Sequence, residues 1–178
     1  MELACIQTAR LLLRPFELND AADVFEYASN PQVSRFTTFT TAETLADSEA
    51  FIAMVLARGD EEHTWAIRLL SDTRVIGAIE FKLMSETDAE FHYVLAEEHW
   101  NRGLMTEAAR AVLDWGRSGY PSLRHIGTRA MSENLASQRV MEKCGLRLEG
   151  VRKIQVEKFG APVEHREYGI VFPKAVPQ

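Results

Sequence analysis

Two periods of hydrophobic residues divide the chain into predicted strands and predicted helices. Short runs rich in β-branched and aromatic residues, bounded by glycine, proline or polar turns, predict strands, whereas apolar residues three and four apart predict amphipathic helices. The strands are predicted at residues 9–16, 63–70, 75–82, 90–98, 124–131, 146–159 and 163–172, and the helices at 19–31, 40–59, 99–116 and 132–145.

Capping residues and apolar stripes define the predicted helices further. Asn19 or Asp20 is expected to cap the first helix. Thr40 and Glu43 stand at the spacing of a capping box for the second, and Gly59 is expected to end it. The residues predicted to face the core are Ala22, Phe25 and Ala28 in the first helix, Leu45, Ile52, Val55 and Leu56 in the second, Leu104, Ala108, Ala111, Val112 and Trp115 in the third, and Ala136, Val140 and Cys144 in the fourth.

The order of the elements predicts the topology of the sheet. A strand, a helix and a further strand in sequence imply a right-handed crossover, so the strands at 90–95 and 125–130 should run parallel around the third helix. The expected fold is therefore α/β (α+β), with a mixed, mostly antiparallel sheet of about seven strands, a central parallel pair and about four flanking helices. Ligands favour the crevice at the C-terminal ends of such parallel strands.

Length and composition predict one domain over residues 1–178. A chain of 178 residues, of which 46% are hydrophobic, can form one well-packed core and is short for two. No window approaches the roughly 18 consecutive apolar residues of a membrane span, and the start lacks the pattern of a secretory signal. The expected location is therefore the cytoplasm, without membrane contact. Residues 175–178 are expected to form a loose tail.

Charge, cysteines and histidines exclude several classes of site. A formal net charge of −6 argues against nucleic acid as a partner and is compatible with a cationic substrate, although it also favours solubility. Cys5 and Cys144 have no metal-ligand spacing and are expected to be buried thiols. The five histidines never recur four residues apart, so no metal is predicted.

The stretch before the third helix carries little side-chain volume around Gly103. The N–H groups of a first helical turn have no intrahelical partner, and with the helix dipole they form an anion site that a phosphate can approach across a glycine. The stretch from Trp100 to Met105 would therefore suit a pyrophosphate. A tight strand-to-helix turn without a ligand is the alternative.

Four segments resemble, in order, those of GNAT-type N-acetyltransferases of the ribosomal-protein N-terminal acetyltransferase (RimJ/RimL-like) branch. They are TARLLLRPFELNDAADVFEYASNPQVSRF, WAIRLLSDTRVIGAIEF, EFHYVLAEEHWNRGLMTEAARAVLDWG and NLASQRVMEKCGLRLEGV, and the resemblance covers residues 8–172 with a GNAT core. In this family the loop corresponding to Trp100–Met105 wraps the pyrophosphate of acetyl-CoA with backbone amides. The usual form is Q/R-x-x-G-x-G/A. Here Gly103 is kept, Trp100 stands first and Met105 stands last.

The resemblance implies acetyl-CoA as cosubstrate and a direct attack of an amine on its thioester. The central strand of the family splays from its neighbour, often at a β-bulge, and its free backbone groups bind the pantetheine and polarise the thioester carbonyl. Contacts to acetyl-CoA are expected from Tyr93, Val94, Leu95, Trp100, Asn101, Arg102, Gly103, Leu104, Met105, Thr106, Asn134, Ser137, Arg139 and Lys143.

The reaction needs a base, because an alkylamine has a pKa near ~10 and is mostly protonated at neutral pH. Glu90 and His92 share one face of the central strand, and Glu80 lies on the preceding strand. Each of the three is a candidate catalytic base, directly or through water. As the alternative, the two glutamates are solvated strand carboxylates and His92 packs on Trp65 or Trp100.

The departing thiolate needs an acid, for which many family members use a tyrosine in the helix after the asparagine motif. Met141 occupies that position here. Ser137, three residues after Asn134, matches the N-x-x-S form of the branch and resembles its proposed acid or thiol contact. Asn134 resembles the residue that bonds pantetheine. Ordinary N-capping of the helix is the alternative for both residues.

The acceptor is expected to enter opposite the coenzyme, where Phe36, Trp65, Tyr93 and Tyr168 are candidates to line a pocket. The resemblance favours a protein or peptide N-terminus, and a small-molecule amine and a non-catalytic acyl-CoA-binding sensor are the alternatives. The oligomeric state stays open, with a homodimer as one candidate. A dinucleotide-binding oxidoreductase is excluded, because no G-x-G-x-x-G motif follows an early strand.

Overall fold

The computed structural model describes residues 3–173. The predicted tail at 175–178 lies outside this range. The strands are β1 (Ile6–Gln7), β2 (Leu11–Pro15), β3 (Glu62–Leu69), β4 (Val75–Leu83), β5 (Asp88–Leu95), β6 (His125–Met131), β7 (Arg147–Val156) and β8 (Ala161–Val171), and the helices are α1 (Ala21–Ala28), α2 (Pro31–Ser34), α3 (Leu45–Leu56), α4 (Leu104–Gly119) and α5 (Leu135–Lys143).

The strands of the described residues form one sheet in the order β1-β2-β3-β4-β5-β6-β8-β7. Neighbouring strands are antiparallel except β5 and β6, which run parallel on either side of the α4 crossover. The predicted mixed sheet with a central parallel pair is confirmed. Two short elements, β1 and α2, were not predicted. β1 pairs with β2, and α2 begins at Pro31, where the first helix was expected to end.

Each face of the sheet packs against its own helices, because side chains alternate along a strand. α1 and α3 cover one face, where Phe16, Val24 and Ile52 are buried. α4 and α5 cover the other face around Trp65 and Phe91, which are fully buried. The C-terminal half of β5 therefore lies between two helical layers.

The second predicted helix begins later and ends earlier than expected. The capping box consists of Thr44 and Asp47, and Thr40 and Glu43 precede the helix. The Thr44 N–H donates to the Asp47 carboxylate at 2.8 Å. The helix ends before Gly59, so the predicted boundaries were wrong at both ends. The same S/T-x-x-acid spacing occurs at both pairs, and only the second pair is followed by the packed helix.

The predicted core faces of three helices are confirmed in part. Ala28, Ile52 and Val55 are buried, and Val140 and Cys144 pack partly buried against the core. The extent of each covered face depends on contacts with the sheet, which the apolar pattern alone cannot show. Ala22, Leu45, Leu56 and Ala136 are exposed. The buried residues are Ala21, Val24, Tyr27 and Ala28 in α1, Ser48, Ile52 and Val55 in α3, and Gln138 and Met141 in α5.

The two cysteines differ in environment. Cys5 is exposed, which corrects the expectation of a buried thiol, because it precedes the edge strand β1. Cys144 is half-buried, and burial raises the pKa of its thiol to about 11. Within residues 3–173, no three His, Cys, Asp or Glu side chains are grouped so that they could hold a metal ion. None of the helices in this range is long and apolar enough to cross a membrane.

Candidate active site

The central parallel pair separates after three residues on each strand. β5 and β6 pair from Asp88↔His125 to Glu90↔Gly127, and among the described residues no further pairing joins them. The pairing of β5 with β4 continues without a register shift as far as Leu95. Residues 91–95 therefore turn part of their backbone N–H and C=O groups toward a gap. The predicted splay is present, and divergence of the two strands, rather than a bulge, creates it.

A cleft of about 1210 Å³ includes this gap and the N-terminal end of α4. Its lining comes from both helical layers and from the free end of the sheet. Two of the predicted residues, Glu90 and Arg102, are not in the lining, and the Arg102 guanidinium lies 3.1 Å from His99 Nδ1. The predicted residues that do line the cleft are His92, Tyr93, Val94, Leu95, Trp100, Asn101, Gly103, Leu104, Met105, Thr106, Asn134, Ser137, Arg139 and Lys143.

The turn before α4 has the backbone conformation of an open helix entrance. Asn101 and Gly103 adopt positive φ angles of 59° and 74°. The first bond of the helix runs from the Glu107 N–H to the Gly103 carbonyl, and within the described chain the N–H groups of residues 104–106 have no acceptor. Gly103 has no Cβ, and Met105 packs into the core with 6% of its surface exposed. The donors are therefore accessible to an anion.

Ser137 lies in the first turn of α5 and faces Tyr93 of β5. The two hydroxyl oxygens are 2.8 Å apart, and the Tyr93 hydroxyl also donates to the Ser137 carbonyl at 3.1 Å. Burial raises the pKa of Tyr93, so its phenol stays protonated at neutral pH. Asn134 Oδ1 accepts from the Ser137 N–H at 3.1 Å, which is the N-cap contact. A pair of hydroxyls therefore borders the cleft, and the buried Met141 contributes an apolar side chain to the same lining.

His92 and Glu90 form a pair on β5. His92 Nε2 lies 3.3 Å from Glu90 Oε2, and the Arg129 guanidinium donates to the same oxygen at 3.2 Å. The hydrogen bond from His92 lowers the pKa of Glu90, and the charge of Arg129 adds to this effect against the opposing effect of burial. Glu90 is therefore a carboxylate at neutral pH, and it holds the imidazole from the side away from the cleft lining.

Glu80 lies directly across from His92 in the register of β4 and β5 and lines the cleft. Its carboxylate forms an ion pair with Arg58, whose guanidinium also donates to the Thr64 hydroxyl at 3.1 Å. Within the described residues, His92 Nδ1 has no hydrogen-bond partner. Of the two groups in the lining, His92 is thus the one with a free basic atom.

Two residues predicted to line the acceptor pocket lie elsewhere. Trp65 is fully buried on the α4 face, where its indole N–H donates to the Ala4 carbonyl at 2.9 Å and its ring packs edge-on against Trp115. Tyr168 is 2% exposed beneath α5. Strand alternation explains both corrections, because Trp65 follows the cleft residue Thr64 and so points to the opposite face. Phe36 and Tyr93 line the cleft.

Several polar groups of the cleft lining were missing from the predicted set, and Thr128 and Arg58 are two of them. Thr128 follows Gly127, the last β6 residue paired with β5, and its buried hydroxyl has no hydrogen-bond partner among the described residues. Its position between Ile126 and Ala130 interrupts an apolar row, which is a signal that sequence analysis could have used. Arg58 gave no such signal, because it follows the end of α3 and only the fold brings it to Glu80.

Sequence comparison finds relatives over most of the chain. Residues 10–147 match the family described as the acetyltransferase (GNAT) domain. The chain is 30% identical over 173 residues to the uncharacterized N-acetyltransferase YoaA of Bacillus subtilis, which covers 95% of this chain and 97% of that protein. It is 34% identical over 154 residues to the uncharacterized N-acetyltransferase YnaD of the same species, which covers 86% and 88%.

Solved structures share the fold over nearly the same length. An acetyltransferase of the GNAT family from Bacillus anthracis superposes with a TM-score of 0.83 at 29% identity, covering 94% of this chain and 98% of that one. The ribosomal-protein α-N-acetyltransferase RimL, solved in complex with coenzyme A, superposes with a TM-score of 0.80 at 15% identity, covering 94% and 98%. The second likeness shows the fold alone.

Proposed function

Because the chain belongs to the acetyltransferase (GNAT) family, and is thus an acetyl-CoA-dependent N-acetyltransferase, we propose that it transfers the acetyl group to a primary amine in the cleft between β5, β6 and α4. One observation carries the proposal. The backbone groups that residues 91–95 turn toward the gap and the free N–H groups of residues 104–106 line the same cleft. An extended thioester with a diphosphate at one end matches these two sets of backbone groups.

The N-terminal end of α4 is proposed to hold the diphosphate. Backbone N–H groups from Gly103 to Thr106 donate to its oxygens, Trp100 and Asn101 shape the loop, and the Arg139 and Lys143 side chains add positive charge. Arg102 contributes its backbone only, because its side chain contacts His99. Along the gap, the backbone of Tyr93, Val94 and Leu95 and the side chain of Asn134 are proposed to bind the pantetheine arm.

The proposed chemistry is a direct displacement at the thioester carbonyl. His92 takes one proton from the protonated amine, the neutral nitrogen attacks the carbonyl carbon, and the C–S bond breaks. Glu90 keeps the imidazole in place and stabilises its charged form, so it acts through His92 as a positioning residue. The Ser137 hydroxyl donates a hydrogen bond to the leaving sulfur and passes to the thiolate the second proton, which the nitrogen loses as the amide forms.

The acceptor is proposed to be the N-terminus of a protein or peptide. RimL, which has the same fold, is an acetyltransferase of a ribosomal protein α-amino group. The acceptor side of the cleft contains the aromatic residues Phe36 and Phe39 beside Glu80 and His92. Such a mixture can hold a side chain of the peptide while the amine approaches the base.

A thiol-release screen tests the proposed reaction and the acceptor class. The protein is mixed with acetyl-CoA and with peptides that carry a free N-terminus, and the released thiol is measured. The matched controls are the same peptides with a blocked N-terminus, together with free amino acids and polyamines. Release only with unblocked peptides supports the proposal. Release only with the small amines would reject a peptide acceptor, and binding of acetyl-CoA without release for any amine would reject catalysis.

A further inference from the structure

We propose that Arg10, immediately before β2, is a positioning residue for acetyl-CoA that fixes the orientation of the peptide group between Arg102 and Gly103. This inference rests on the proposed function, because it assumes that the α4 entrance holds the diphosphate. Arg10 lies outside the cleft lining and has no part in the roles described above. Its effect would reach the coenzyme only through the loop backbone.

The contacts of Arg10 join the loop to the first turn of α4. Its Nη1 atom donates to the Arg102 carbonyl at 3.0 Å, and its Nε atom donates to Glu107 Oε2 at 2.7 Å. The Arg10 backbone N–H donates to Glu107 Oε1 at 2.9 Å, and the Thr8 hydroxyl donates to the same oxygen at 2.6 Å. One guanidinium therefore holds both a loop carbonyl and the helix that follows it.

Because the peptide between Arg102 and Gly103 is planar and trans, the bond from Arg10 to the Arg102 carbonyl also fixes the direction of the Gly103 N–H. The C=O and the N–H of one peptide group point in opposite directions. Because Arg10 binds the Arg102 carbonyl on the side away from the cleft, the Gly103 N–H of the same peptide is directed to the other side, where residues 104–106 present their N–H groups. Gly103 can flip between backbone conformations more easily than other residues, so an external contact is needed to hold one of them.

The same contact keeps a negative charge away from the anion site. Glu107 lies in the first turn of α4, where its carboxylate would repel a diphosphate. Burial by itself would raise the pKa of Glu107. The hydrogen bonds from Thr8 and Arg10 together outweigh this effect and lower the pKa, so the group is charged. Arg10 neutralises this charge and holds it on the far side of the helix end.

The surroundings of Arg10 separate this role from a purely structural one. Its side chain is 49% exposed, and the loop residues Asn101, Arg102 and Gly103 are exposed as well. The Glu107 carboxylate, which is 19% exposed, keeps its hydrogen bonds from the Thr8 hydroxyl and from the backbone N–H of residue 10 when the side chain is removed. Loss of the side chain should therefore leave the fold intact while the loop loses its single orientation.

The test compares coenzyme affinity and turnover in Arg10→Ala. We expect the Kd for acetyl-CoA, measured by calorimetry, to rise about tenfold or more, because a charge-assisted hydrogen bond that orders a binding loop is lost. The value of kcat at saturating acetyl-CoA and the KM for the amine should change less than about twofold. Arg10→Lys, which keeps the charge but loses the planar fork, should recover only part of the affinity.

Two further variants make the result decisive. Arg74→Ala is the matched control, since Arg74 is also 49% exposed and also pairs with a carboxylate, that of Asp72, and it lies outside the cleft lining. Its Kd should equal that of the wild type. The double variant Arg10→Ala/Glu107→Gln also removes the carboxylate charge, so it should recover only part of the affinity and stay weaker than the wild type, because the loop still lacks its orienting donor. Full recovery in the double variant would show that Arg10 only neutralises Glu107 and would overturn the proposal.

Failure of this inference and failure of the proposed function give different results. If the wild type binds acetyl-CoA and Arg10→Ala binds it equally well, only the role of Arg10 is rejected. If the wild type shows no binding, the proposed site itself is rejected. An equal loss of kcat and affinity, with a lower melting temperature in the absence of ligand, would assign Arg10 to folding and would also overturn the proposal.

Discussion

At the scale of single residues, the proposed base is held by a charged pair that comes from two strands. His92 contacts Glu90 on its own strand, and Arg129 on β6 contacts the same carboxylate. The lowered pKa of Glu90 keeps that carboxylate charged at neutral pH, where it favours an imidazole that can accept a proton. Glu80, across the β4–β5 pair, is instead held by Arg58.

This arrangement predicts unequal losses for His92 and Glu90. His92→Gln removes the base and should lower kcat by about a hundredfold or more, whereas Glu90→Gln, which only weakens the hold on the imidazole, should lower it by roughly tenfold. The measurement is kcat at saturating acetyl-CoA and amine. Glu149→Gln serves as control, because Glu149 also contacts a histidine, His125 at 3.0 Å, outside the cleft lining, and should leave kcat unchanged. A full rate in His92→Gln combined with a lost rate in Glu80→Gln would instead identify Glu80 as the base.

At the scale of elements, the proposed ligand site lies at the junction of β5 and α4. β5 keeps its pairing with β4 and loses its pairing with β6, and the following turn uses positive φ at Asn101 and Gly103 to start α4. Trp100 closes the turn by donating its indole N–H to the Leu95 carbonyl at 2.7 Å. Strand end and helix start therefore face one space.

The junction predicts that Gly103→Val abolishes the thermal stabilisation by acetyl-CoA. A Cβ at this position is strained by the positive φ and would lie 3.7 Å from the Arg10 guanidinium, so the loop must change its conformation and the N–H groups lose their common direction. Wild-type protein should gain about 2.7 kcal/mol at a hundredfold excess of ligand over its Kd, seen as a higher melting temperature. Gly160→Val is the matched control, since Gly160 also has positive φ, at 64°, but lies outside the cleft lining. It should lose stability through strain yet keep the ligand-induced shift. An unchanged shift in Gly103→Val would remove this loop from the binding site.

At the scale of the whole molecule, an aromatic cluster joins the sheet to α4 on the face opposite to His92. His63 on β3 packs against Trp115 with ring centroids 4.9 Å apart, and its Nε2 lies 2.7 Å from the Tyr120 hydroxyl. Burial lowers the pKa of His63, since the charged imidazole is less well solvated there than in water. The native protein therefore binds this proton less readily than the unfolded chain does.

The sign of the resulting pH dependence follows from linkage. Above about pH 6.5, the ordinary pKa of histidine, neither state is protonated and His63 has no effect on the pH dependence. As the pH falls below this value the unfolded chain takes up the proton first, so the free energy of unfolding decreases until the lowered pKa of the native state is reached. The carboxylates with lowered pKa values, such as Glu90, act only below their ordinary value of 4.5.

We therefore expect His63→Gln to flatten the stability curve between about pH 6.5 and pH 5 by an amount on the order of 1 kcal/mol. Glutamine can keep a hydrogen bond to Tyr120 while removing the titration. Chemical denaturation at pH 8, 6.5, 5.5 and 5 measures the effect, and the difference between the two proteins at pH 8 is subtracted as the baseline. Parallel curves for wild type and variant would show that His63 does not carry the dependence.

Much of the fold could be predicted from the local pattern of residues. The errors of the prediction lie where contacts between distant elements decide the outcome. The strand order around α4 and the parallel pair were predictable, because the period of hydrophobic residues and the handedness of crossovers are local properties. The buried rows of α1, α3 and α5 were predictable only in part, because the sheet decides how far each covered face extends: Ile52 and Val55 are buried as predicted, whereas Leu45 is exposed. Thr40 and Glu43 likewise match a cap by spacing alone, while Thr44 and Asp47 form it.

The candidate site likewise has features that consecutive residues predict and features that depend on partners distant in sequence. The helix entrance around Gly103 could be identified from consecutive residues, because a glycine before a helix start and the free N–H groups of its first turn belong to one short stretch of chain. The roles of Glu80, Arg58 and Arg10 depend on partners that are distant in sequence, for example Glu107 for Arg10. The single-domain expectation for residues 1–178 and the roles of the individual site residues stay predictions.

The amino-acid sequence by itself determined the class of sheet and the position of the turn before α4, where the first helical N–H groups have no acceptor within the described residues. The tertiary structure alone decided that β5 and β6 separate after Glu90, that Trp65 and Tyr168 are buried away from the cleft, and that Arg10 holds the loop before α4. The physical reason is the range of the forces involved. Periodicity and capping act between neighbours along the chain, whereas strand divergence, side-chain facing and ion pairing depend on groups that only the folded chain brings into contact.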